Sequence, residues 1–379
     1  MTETKPIKQK KSGEGLELCR LLFCFASVVA ISLVLLKSDT VMPAMLVATK
    51  VCLNTVIPSL FPFMVLCDVF VNSGAAEMIA SVLGGIFEKI FGIGRGGAVA
   101  VLLGLVFGFP VGTKSAVSLY ESGRIDKSEL CHLICFCNGP SSAFLIGAVG
   151  VGLFGSRGFG VVLCAAEMLS ALVIGVCARA FFSTQNSKEK KNKKPLQNAT
   201  DKRGSVISIV DAVTSSAVSM LYICAFIVFF SAITGVVDDC AAALGANNTV
   251  RALIMGFFEM TGGVRAIAGA DIERISACLL CAAAVGWSGI SVHFQFISLC
   301  KDTGVGYRAY FISKALRAVL DLCFVAVFLW FLGDRIKFGD ISASSFMLVG
   351  EFHWIYLISL ITVAAAGYGK LKTESRKLK

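Results

Sequence analysis

Charge is scarce in this sequence: Asp, Glu, Lys and Arg make up 16% of its 379 residues, against 56% hydrophobic ones. That balance excludes an ordinary soluble domain and leaves a polytopic membrane protein. Histidine occurs three times, and no cysteine or histidine spacing matches a structural zinc site. HExxH and GxSxG are absent. The nearest approach to a phosphate-binding loop, Gly112-Thr113-Lys114-Ser115, has its lysine displaced and no strand before it. The sequence therefore predicts no enzyme, no cofactor, no metal and no nucleotide motor, so any transport would run on a gradient. The net charge of +10 does not point to nucleic acid, because the basic residues collect in tails and short loops between apolar runs, as the positive-inside rule requires. Fifteen cysteines could form a disulfide framework, but most, among them Cys19, Cys24, Cys131, Cys135, Cys137, Cys164, Cys278 and Cys281, lie inside apolar segments. They read as small, inert hydrophobes.

What is present is an apolar stretch broken twice, from Gly104 to Ser142, with Gly108-Phe109-Pro110 and Asn138-Gly139-Pro140 where a spanning helix should be continuous. In lipid every peptide group must find a partner, so irregular backbone at membrane depth is tolerated only inside protein or along a wet cavity. The pattern recurs. GFFEMTGG starts at Gly256 and GWSGIS at Gly286, and Gly108 and Gly256 stand 148 positions apart, as do Asn138 and Gly286. Paired, Gly/Pro-interrupted apolar segments in two halves are the sequence pointer to a secondary transporter's binding site.

Along the chain, 1–15 reads as a disordered cytoplasmic tail, and 16–36 as an uncleaved first span, long enough for about 30 Å of hydrocarbon. The stretch 41–72 crosses back with a kink near Pro58 and Pro62, and 74–97 suits a helix lying in the interface. The first half, 16–183, carries a re-entrant hairpin at 98–121, a broken helix at 127–154 and a span at 158–182. A basic cytoplasmic loop follows at 184–203; its Asn198-Ala199-Thr200 glycosylation acceptor would be inert there. The second half, 204–333, repeats the plan with a span at 206–237, a hairpin at 249–270, a broken helix at 275–299 and a span at 308–331. A last span at 346–367 and a basic tail complete the segment 334–379. With the amino terminus inside, three crossings separate the hairpins, which then enter from opposite faces. The fold class expected is an all-α polytopic membrane protein built as an inverted-topology repeat, with sites near the midplane.

A broken helix frees N–H groups at the start of its second half, a ready anion site. Ser141 and Ser142 start one such half-helix, and Ser288 and Ser291 the other; each hydroxyl could instead bond water or a carbonyl. Lys114, beside Thr113, either meets a substrate carboxylate or snorkels to the cytoplasmic interface. Glu259, near Thr261, is its counterpart in charge and could carry a proton, pair with Lys114 or pair with Arg265. His293, beside Gln295 after the second break, lies at a depth suited to ligand or proton handling or is a packed, hydrogen-bonded histidine, while His132 and His353 read as structural. Asn138 can cap freed backbone or hold substrate.

The run GFPVGTKSAVSLYESGRIDKSELCHLICFCNGPSSAFLIGAVGVGLFG resembles the sporulation integral membrane protein YlbJ family, whose members carry the nucleoside recognition or Gate domain. GFFEMTGGVRAIAG and GWSGISVHFQF look like the family's second-half motifs, and the resemblance covers about residues 17–335. Where the family usually places Ser-Pro after the Asn, Gly139, Pro140, Ser141 and Ser142 follow Asn138 here. The resemblance implies a multi-pass protein of the outer forespore membrane, made in the mother cell and associated with moving dipicolinic acid. The function expected is a transporter of a small organic anion, working by alternating access between the hairpin tips. Its partners would be the lipid bilayer and that anion, with a homo-oligomer allowed. A nucleoside-type permease and a non-transporting scaffold for the spore envelope are the alternatives.

Overall fold

Long apolar runs favour helix, because in hydrocarbon a helix satisfies its own backbone. A computed structural model describes residues 34–72, 75–94, 96–182 and 205–338, with isolated positions between 21 and 32. The tail at 1–15, most of the span at 16–36, the loop at 184–203 and the last span at 346–367 lie outside the described residues.

Among the described residues every regular element is helical. Helix α1 (Ser38–Val51) runs through a π-helical turn, Cys52–Val56, into α2 (Ile57–Asn72). The kink expected near Pro58 therefore takes the form of a π turn just before it; Pro58 has no N–H to give the preceding turn, and the wider turn absorbs the mismatch. Helix α3 (Ala75–Phe91) follows, stacking Phe91 on Phe136 at 5.0 Å while Ile86 and Ile90 stay exposed. Arg179 donates to the carbonyls of Lys89 and Ile90 at its C-terminal end, the favourable place for a cation.

The first helical hairpin is α4 (Ala98–Phe107) and α5 (Val111–Glu121), and the first broken helix is α6 (Lys127–Phe136) followed, after a gap, by a π-helical stretch, Phe144–Leu153. Asp126 caps α6 by accepting from the Glu129 N–H at 2.8 Å. Then come α7 (Arg157–Phe182) and the 39-residue α8 (Ser205–Ala243). The second hairpin is α9 (Asn248–Phe258) and α10 (Met260–Ala268), and the second broken helix is α11 (Arg274–Trp287) and α12 (Gly289–Cys300), before α13 (Arg308–Leu332).

Among the described residues four stretches are long and apolar enough to cross a membrane: Arg157–Phe182, Ile209–Ala243, Arg274–Thr303, which contains the second break, and Arg308–Leu332. One end of α8 is pinned by ion pairs, Lys37 to Asp239 at 2.6 Å and Arg251 to Asp238 through two bonds of 2.8 and 2.7 Å. The fourteen described cysteines are all free.

The two halves interlock reciprocally. Arm α5 of the first hairpin contacts α12, the far part of the second broken helix, while arm α10 of the second hairpin contacts the π-helical far part of the first. One buried apolar cluster accordingly joins Leu119, Leu133 and Ile174 to Phe296 and Tyr310, and another joins Leu145 and Val149 to Val264, Ile267 and Val285.

Candidate functional site

Each hairpin is closed by glycines facing across its two arms. A Cβ on Gly112 would lie 2.4 Å from the Gly104 Cα, and one on Gly263 would lie 2.0 Å from the Gly256 Cα. The arms therefore touch backbone to backbone, as small residues permit. Each tip then rests on the break of the neighbouring helix in its own half. Gly108 turns with φ +67, a conformation glycine adopts without strain, and the next residue, Phe109, donates its N–H to the Gly139 carbonyl at 2.6 Å. In the second half Gly289, φ +76, lies against the backbone of Glu259 and Met260.

All four interruptions meet around one partly open cavity of about 80 Å³. Its polar wall is made by Asn138, Ser141, Glu259, Thr261, Ser288 and Gln295, and its apolar wall includes Phe109, Phe144, Ile223, Ile227 and Val292. A mostly apolar cavity with a few convergent polar groups is what a small-molecule site requires.

Six of the eleven residues singled out from sequence thus share one cavity. Ser141 accepts from the Phe144 N–H at 3.2 Å, which caps the half-helix it opens. Asn138 donates its side-chain amide to the Ile134 carbonyl. Glu259 caps α10, accepting from the N–H groups of Thr261 at 2.9 Å and Gly262 at 2.5 Å, so its carboxylate sits where a helix start favours negative charge.

The other five point elsewhere. Ser142 donates to the Val106 carbonyl at 3.3 Å, and Ser291 accepts from Gln295 at 3.2 Å. His293 is buried, bonded to the Tyr310 hydroxyl at 2.9 Å and edge-on to Trp287. Thr113 is buried behind the tip.

Lys114 does not pair with Glu259: its ammonium bonds Asp68 at 2.6 Å and Ser215 at 2.9 Å, beside a second cavity that Asp211 also lines. Neither partner of this ion pair is fully buried, so Lys114→Ala and Asp68→Asn are each expected to lower stability by about 1 kcal/mol. Chemical unfolding of both single variants and the double would check it, the double being no worse than either alone if the pair acts as a unit.

The residues that sequence reasoning passed over are charged and buried. Helix α13 presents Lys314, Arg317 and Asp321, and α7 presents Glu167; their exposures are 1%, 0%, 0% and 4%. Lys314 donates to the Asn138 carbonyl and the Ser288 hydroxyl, both at 2.9 Å, and so ties the two breaks together. Arg317 bonds Glu167 at 3.0 Å, the Phe136 carbonyl at 2.8 Å and the Asn138 side-chain oxygen at 3.4 Å. The signal was available: charges at i, i+3 and i+7 lie on one helix face, and in an apolar span such charges face the interior and mark functional ground.

Helices of this length and apolarity, together with two hairpins and two broken helices gathered on one cavity, define a multi-pass, helical membrane protein. The chain is similar to "Sporulation integral membrane protein YlbJ" of Bacillus subtilis (strain 168), with 26% identity over 304 residues, 73% of this chain and 74% of that protein. The resemblance carried by the sequence motifs is thus supported by a full comparison. No family model matches the chain, and no solved structure matches it.

Proposed function

We propose that this protein is a secondary transporter of a small organic anion, dipicolinate in a sporulating cell, placed in the outer forespore membrane. In this reading the two hairpins are re-entrant, the halves are an inverted-topology repeat, and access alternates as one half moves against the other. The observation that carries it is Lys314, a buried amine whose two bonded partners, the Asn138 backbone and Ser288, both belong to the cavity wall. The reciprocal contacts of the two hairpins support the repeat. Phe109 and Phe144 offer flat apolar surfaces to an aromatic ring, and the name of the Bacillus subtilis relative supports the sporulation setting.

Uptake of labelled dipicolinate and of labelled nucleoside into proteoliposomes is the test. Dipicolinate is expected to move and nucleoside not; nucleoside alone moving would make the protein a permease of that class, and neither moving would favour a membrane scaffold. Lys314→Met is expected to reduce dipicolinate uptake strongly. A cation and a carboxylate near one another at an effective dielectric of about 20 attract by on the order of 2 kcal/mol, which is roughly thirtyfold in affinity.

A further inference from the structure

Beneath the cavity wall lies a group of ionisable side chains that anion binding alone does not require. Asp321 lies against Glu167 and Ser170 of α7, but among the described residues no hydrogen bond of good geometry reaches either of its carboxyl oxygens or the second oxygen of Glu167. Arg317 is committed to Glu167, Phe136 and Asn138, and Lys314 to Asn138 and Ser288. From α6 and the residue after it the thiols of Cys135 and Cys137 face Arg317. From α11 the backbone at Gly286 closes on Asp321, and the charged residue of that helix, Arg274, lies instead over Phe338. Two carboxyl groups facing one another away from water, with one guanidinium bonded to one of them, are not both ionised cheaply; a single shared proton relieves the repulsion.

We propose that Glu167 and Asp321 together hold one exchangeable proton, and that this proton couples movement of the anion through the cavity to a proton gradient. The coupling half rests on the transport reading above. With the proton bound, the group Lys314, Arg317, Glu167 and Asp321 carries a net positive charge, which favours an anion beyond Asn138 and Ser288. With the proton lost it is neutral, and the anion is released. The connection is short. A Cβ on Gly139 would stand 1.9 Å from the Glu167 carboxyl, so the broken segment rests directly on it. A second, very small space lined by Glu167, Arg317 and Gly139 shares Pro140 with the central cavity.

Asparagine at position 321 mimics the protonated acid permanently. Asp321→Asn is therefore expected to lose accumulation of labelled dipicolinate driven by an inward acid gradient while keeping exchange of external for internal dipicolinate, a readout that a misfolded variant would also lose. Wild-type accumulation should stop when an ionophore collapses the gradient. Independently of transport, infrared difference spectra of the purified protein should show a carboxylic C=O band that shifts in heavy water and is missing from Asp321→Asn and Glu167→Gln. Accumulation by Asp321→Asn equal to wild type, or spectra in which neither substitution removes a band, would overturn the inference. If the wild type moves no dipicolinate, the transport reading falls with its coupling, and the infrared band alone decides whether the pair carries a proton.

Discussion

Arg317→Met should destabilise the protein by about 3–5 kcal/mol, the usual result of removing one partner of a buried ion pair and leaving the other unpaired. The guanidinium and the Glu167 carboxyl are almost fully enclosed, with side-chain exposures of 1% and 6%. Three acceptors on three segments lose their donor at once: Glu167, the Phe136 carbonyl that ends α6, and Asn138 in the break. Arg317→Lys should recover little, because an ammonium cannot reproduce the planar fork that reaches Glu167 and Phe136 together. Adding Glu167→Gln to Arg317→Met should restore a large part of the loss, since the stranded charge is gone. Unfolding of the purified protein in detergent, followed for the single variants and the double, would measure this. A loss within about 0.5 kcal/mol of zero, the range of ordinary surface substitutions, would mean that water reaches the pair.

Gly112→Ala is the second large effect expected. Its new methyl would stand 2.1 Å from the Cys137 carbonyl oxygen and 2.4 Å from the Gly104 Cα, both backbone atoms that no rotamer change can clear. Overpacking of this kind costs about 1–3 kcal/mol, and here the displaced parts are the hairpin arm and the break it seals. Uptake should fall to background even in preparations that remain folded, because the tip no longer registers against Gly139. Gly85→Ala is the control: that exposed helical glycine has nothing within 4 Å of a new Cβ, and the change should be neutral or stabilising by up to about 1 kcal/mol. Comparable uptake by both variants would show that the close approach at Gly112 has no bearing on the route.

The places where helices stop were legible because their causes are local. Glycine and proline placed together weaken a helix locally, glycine through its backbone freedom and proline through its missing N–H, so Gly108, Pro110 and Pro140 announce their breaks. The second half was read from spacing, and its breaks fall at Glu259 and Ser288, within the motifs that begin at Gly256 and Gly286. What was not legible is which side chains meet. Lys114 finds Asp68, and Arg317 finds Glu167, across separations that no periodicity encodes. Glu259 is taken up as a helix cap, which its sequence neighbours Thr261 and Gly262 determine but do not advertise. Lys314, Arg317 and Asp321 were hidden within a run read simply as a span. Their i, i+3, i+7 spacing carried information that overall apolarity concealed.

Helix α8 also serves as a gauge of depth. At about 1.5 Å per residue its 39 residues extend about 58 Å, well beyond the roughly 40–45 Å between headgroup layers. Its exposed Asp211 and its ion-paired Asp238 stand about 27 positions apart, about 40 Å, which fits one acidic residue at each water boundary. Ile223 and Ile227, its contribution to the cavity, fall midway between those two residues. An occupant would therefore be nearly equidistant from both aqueous phases. On the transport reading, neither direction of passage would have a shorter path through protein.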